Sequence, residues 1–101
     1  MTLTEFSDHQ IRQMLQAVRG WLQDQRRGQP PENGYLKLEA DTAESLGSDF
    51  GLDKPFAHRL LVALTEEGYL DAECHTTDSE IAPLRYAEVR DLTDKALGKL
   101  S

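Results

Sequence analysis

The stretch LGSDFGLDKPFAHRLLVALTEEGYL, residues 46–70, limits the folds open to this chain more than any other. Gly51 ends one helical pattern. Asp53 stands where the next helix needs a cap. Pro55 suits a first helical turn, where its missing amide would be unpaired in any case. Ala57, Leu60, Leu61 and Leu64 then recur at i, i+3, i+4 and i+7, an apolar stripe along one side of a helix over 54–67. Gly68 permits a Schellman stop, with Leu64 and Tyr69 placed to touch. The stretch therefore predicts two helices joined by a tight turn and followed by extended chain.

The flanking sequence supplies elements for these helices to pack on. Ser7 and Gln10 form a capping-box pair, and Phe6 and Ile11 are spaced as a hydrophobic staple. Ile11, Met14, Leu15, Val18 and Leu22 follow at helical spacing with Trp21 beside them. Arg26 and Arg27 suit the negative end of the helix dipole and Gly28 is a natural stop, which predicts a first helix over 8–27. GQPPENG holds two prolines and two glycines and predicts a loop. YLKLEA alternates apolar and polar residues and predicts a strand over 35–39. Asp41, with Glu44 three residues on, predicts the cap of a second helix over 42–50, its inner face carrying Ala43, Leu46 and Phe50. Gly47 weakens that helix, so it must lean on its neighbours.

After the third helix, Leu70, Ala72 and Cys74 share one face of a strand, DSEIAP forms a turn, and LRYAEV returns as the partner strand of a hairpin over 71–90. Thr93 is placed to cap a short closing helix with Leu97 and Leu100 inward. The order is helix, strand, helix, helix, strand, loop, strand, short helix, which defines an α+β, mostly helical chain. Its 101 residues predict one domain, 1–101, and 39% hydrophobic residues suffice for one modest core.

That order resembles the winged helix-turn-helix superfamily over nearly the whole chain. Residues 46–70 are similar to its crossed helices plus first wing strand. YAEVRDLTDKALGKL is similar to the return strand and closing helix of MarR- and PadR-like regulators. The resemblance implies a small DNA-binding transcriptional regulator acting as a homodimer, with the third helix in the major groove and the hairpin along the backbone of double-stranded DNA. The outward positions of that helix would be Lys54, Pro55, Phe56, His58, Arg59 and Val62. Lys54 and Arg59 could meet phosphate or a guanine edge, His58 could hydrogen-bond, and Arg85 and Arg90 are the cations of the wing.

The charge distribution argues the other way. The net charge is −7. Residues 29–53 alone carry Lys37 against six acids, and Asp78 and Glu80 sit at the expected wing tip, where a phosphate backbone would approach. A second reading is therefore open: a winged helix turned to protein contacts as an adaptor, an antirepressor or a DNA-mimicking inhibitor. Trp21, Phe56 and Val62 are its candidate interface residues. Phe56 has an alternative role as a core residue against Phe50 or Leu52, and Trp21 as part of the packing stripe.

No catalytic constellation stands out, so an enzyme is not expected. Cys74 and His75 are neighbours on a strand and point to opposite faces, so they cannot grip one metal ion together. The expectation is a half-buried Cys74 beside an exposed His75. His9 and His58 lack ligand spacing, and no Gly-rich phosphate loop occurs, so no cofactor is implied. No apolar run is long enough to cross a membrane. The polar start MTLTEFSDHQ has no secretion-signal pattern. A single cysteine fits a reducing compartment, so a cytoplasmic location is expected.

Overall fold

A computed structural model describes residues 3–28 and 34–101. The chain opens with a 3-10 turn, Leu3–Glu5, and continues as α1 (Asp8–Gly28), β1 (Leu36–Glu39), α2 (Ala40–Ser48), α3 (Lys54–Glu66), β2 (Leu70–Thr76), β3 (Leu84–Leu92) and α4 (Asp94–Leu100). Most of the loop expected at GQPPENG, residues 29–33, lies outside the described residues.

The predicted capping box forms in both directions. The Ser7 amide donates to Gln10 Oε1 at 2.9 Å, and the Gln10 amide to Ser7 Oγ at 3.1 Å. Phe6 and Ile11 are both buried beside it. The Schellman stop of α3 also forms. Gly68 takes φ +81°, the Tyr69 amide donates to the Leu64 carbonyl at 2.9 Å, and the Gly68 amide to that of Thr65 at 3.2 Å. Gly51, at φ +86°, ends α2 in the same way, through Leu52 to Gly47 and Gly51 to Ser48.

Two expected caps differ. α2 begins at Ala40, directly out of β1, so its N-cap is Glu39 and not Asp41, with no side-chain cap bond. There is no intervening residue to turn a side chain back onto the helix. Asp53 does occupy the N-cap of α3, again without a side-chain cap bond. Thr93 caps α4 as expected: its Oγ1 accepts from the Ala96 amide at 3.4 Å and donates to the Gly68 carbonyl at 2.6 Å, tying α4 to the end of α3.

The three strands form one antiparallel sheet in the order β1-β3-β2. Leu38, Ala87 and Cys74 align across it, as do Leu36, Val89 and Ala72. These side chains face the helices, and the alternate residues face away. Between the layers lies one cluster containing Met14, Leu15, Val18, Leu22, Leu38, Leu60, Leu61, Leu64, Leu84 and Val89, all essentially inaccessible. Gly47 explains how α2 and α3 meet. A Cβ there would lie 2.6 Å from the Ala57 Cβ, so the approach needs glycine. No helix among the described residues is long and apolar enough to cross a membrane.

Candidate interaction face

α3 is the most enclosed helix of the chain. Ala57, His58, Leu60, Leu61, Val62, Ala63 and Leu64 are all buried. Two outward assignments are therefore corrected. Val62 is 4% exposed and joins the core cluster, and His58 is fully buried. The apolar stripe marks only the side of α3 facing the main core. α2 and the start of β3 cover its flank as well.

His58 is a structural link. Its Nδ1 accepts from the Leu84 amide at 3.2 Å, which assigns the ring proton to Nε2. Nε2 stands 3.2 Å from Glu44 Oε1, off the line of a hydrogen bond. Burial holds the imidazole below its ordinary pKa of 6.5, against the opposing pull of the Glu44 carboxylate.

Apart from Glu66 at its C-terminal end, what α3 leaves at the surface is a narrow strip carrying Lys54, Pro55, Phe56 and Arg59. Phe56 is 41% exposed, so it is a surface ring and not the core residue of the alternative assignment. Both cations of the strip are already matched. Lys54 Nζ lies 3.4 Å from Glu44 Oε1. Arg59 Nε donates to Glu5 Oε1 at 2.9 Å, and its guanidinium lies 4.4 Å over the centre of the Phe56 ring. Neither Glu5 nor Glu44 is marked as a partner of these cations by the sequence alone. Glu5 is 54 positions away from Arg59, and no local pattern signals that contact. Glu44 has the spacing of a capping box with Asp41 that α2 does not use.

Clefts lie on either side of this strip. One, of about 250 Å³, is lined by Glu5, Phe6, Gln10, Leu52, Asp53 and Phe56. The other, of about 430 Å³, runs between Arg59 and the hairpin tip, where Thr77, Asp78, Ser79, Glu80 and Pro83 line it. The tip holds its shape by its own hydrogen bonds: the Thr77 amide donates to the Pro83 carbonyl at 2.8 Å, and the Ala82 amide to Ser79 Oγ at 3.1 Å. Glu5, Glu44, Asp53, Asp78 and Glu80 thus surround two cations.

The two basic candidates on β3 lie apart from each other. Arg85 and Arg90 are exposed at opposite ends of β3, about 17 Å apart at strand rise. Arg90 lies at the end near α1, where its carbonyl accepts from Arg26, which also pairs with Asp91 at 3.7 Å. Arg59 borders the other end, by the tip. Trp21 is half-buried and rests on the core cluster.

His75 also departs from expectation. It is half-buried on the outer sheet face, stacked on Tyr86 with ring centres 4.3 Å apart, and 3.3 Å from Glu88. Lys37 Nζ sits 4.6 Å from the centre of the same tyrosine ring. Cys74 is half-buried on the inner face as expected, its thiol donating to Thr65 Oγ1 at 3.3 Å. No group of three or more His, Cys, Asp or Glu among the described residues is placed to hold a metal ion. No family model, curated protein or solved structure matches the chain.

Proposed function

We propose that this chain is a winged-helix module that works through protein contacts made by the exposed strip of α3 and the clefts beside it. The element order and the β1-β3-β2 sheet, with the β2–β3 hairpin as the wing, support the winged-helix reading. The observation that carries the functional reading is the matching of Lys54 by Glu44 and Arg59 by Glu5, with Asp53, Asp78 and Glu80 around them. A face that reads DNA gains affinity from lysines and arginines free to neutralise phosphates, which releases the counterions condensed on the DNA. Here phosphate would have to displace two carboxylates and approach three more. An acidic face with an exposed aromatic ring suits a protein partner, for which charge sets on-rate and specificity.

A gel shift against random duplex, and against the DNA upstream of the chain's own gene, tests this reading at two salt concentrations. No shift is expected at either. A shift at low salt that weakens steeply as salt rises would restore the second reading, a homodimeric DNA-binding regulator. That reading draws support from Arg85 and Arg90, whose side chains are exposed and make no ion pair among the described residues.

A further inference from the structure

The cleft beside Phe56 has a specific chemistry. Its base is formed by Phe6 and Leu52, both nearly buried, and its wall by the exposed Phe56 ring. Its rim carries the carboxylates of Glu5 and Asp53. At about 250 Å³ it is smaller than the sites that take drug-sized ligands and is matched to a single long side chain. Asp53 is exposed, makes no cap bond to α3, and makes no ion pair among the described residues. Among the described residues nothing occupies its carboxylate, which can take an incoming group.

Arg59 shows which group the surface accepts. Its guanidinium carbon lies 4.4 Å from the centre of the Phe56 ring while its Nε donates to Glu5, the combination of aromatic face and carboxylate that a planar cation prefers. Arg59 borders the other cleft, so this notch keeps its own opening beside the ring. Asp78 and Glu80 continue the negative potential along the strip to the hairpin tip.

We infer that the notch between Glu5, Asp53 and Phe56 is the docking site for an arginine side chain on a basic segment of a partner protein, the rest of that segment running past Arg59 toward Asp78 and Glu80. This rests on the protein-contact reading and names the chemistry of its partner. The arginine stacks on the Phe56 ring and pairs with Asp53, and charge complementarity along the strip orients the segment.

The test uses the full chain labelled with nitrogen-15 and eight-residue peptides alternating serine with arginine, lysine or glutamine, with a duplex of random sequence titrated in parallel. The arginine peptide is expected to shift the amide signals of Phe6, of residues 51–54 and of Phe56, binding more tightly than the lysine peptide, and the glutamine peptide to leave them in place. F56A and D53N, both at exposed positions, should each weaken the arginine peptide by about three- to tenfold. E73Q, on the outer sheet face, should leave its affinity unchanged. The inference is overturned if the arginine and glutamine peptides act alike, if E73Q weakens binding as much as D53N, or if dilution of the protein alone moves the same signals, which would make the occupant a second copy. Silence from both peptide and duplex removes the notch but leaves the protein-contact reading standing. Shifts of these amides by duplex overturn both.

Discussion

Arg59 Nε donates to Glu5 Oε1 across 2.9 Å, so the turn that precedes the first long helix neutralises the central cation of the exposed α3 strip. The Arg59 side chain keeps 27% of its exposure and that of Glu5 42%. Pairs this accessible contribute about 0.2–1 kcal/mol. A double-mutant cycle of E5Q and R59Q, followed by urea denaturation, should return a coupling in that range. The E5Q protein alone should remain folded.

His58 makes stability depend on pH in a defined direction. Its folded pKa lies below 6.5 because burial penalises the imidazolium, with Glu44 opposing and Lys54 reinforcing the shift. Between the folded and unfolded values the unfolded chain holds the extra proton. Stability therefore rises with pH through that window and falls as pH drops below about 6.5. Protonating Nδ1 would also remove the acceptor of the Leu84 amide. Urea midpoints at pH 7.5 and pH 5.5 should show the loss, and His58→Gln should flatten the difference.

His58→Ala should cost about 2–4 kcal/mol at neutral pH, since it leaves a cavity and strands the Leu84 amide in a buried position. An unchanged urea midpoint for this variant would mean that the ring does not link α3 to β3.

Gly47→Ala offers a prediction whose sign opposes helix propensity. Alanine favours a helix over glycine by about 1 kcal/mol. Here its Cβ would lie 2.6 Å from that of Ala57, inside a buried helix contact. Overpacking of this kind costs about 1–3 kcal/mol. The variant should melt below the parent, and a higher melting temperature would show that α2 and α3 separate readily.

Cys74 should react slowly with iodoacetamide at pH 8. Burial raises its thiol pKa, overcoming the lowering effect of its contact with Thr65. Alkylation in the folded protein should run at least about tenfold slower than in urea-unfolded chain, because only the thiolate attacks. Equal rates would show that β2 opens freely.

Much of the fold was legible because its signals are local. The Ser7–Gln10 box, the Gly68 stop, the Thr93 cap and the stripe of Ala57, Leu60, Leu61 and Leu64 each depend on residues within about two helical turns, and each forms as the spacing predicts. The alternation of Leu70, Ala72 and Cys74 likewise placed those side chains on the inner sheet face. The Asp41 cap failed because β1 runs into α2 without a residue between them.

The sequence by itself determined where α1 and α3 begin and stop and which stripe each buries, since these follow from backbone geometry and hydrophobic spacing along a few residues; in the shorter helices it did not, since α2 begins at Ala40 and Leu97 of α4, expected inward, is 44% exposed. Only the tertiary structure decided what α3 presents. His58 and Val62 went inward because α2 and β3 cover a second side of the helix, which periodicity along one helix does not report. Phe56 went outward, and Lys54 and Arg59 met Glu44 and Glu5 from other elements. The charge of a surface is set by which side chains the fold brings within a few ångströms, and that depends on contacts between distant parts of the chain.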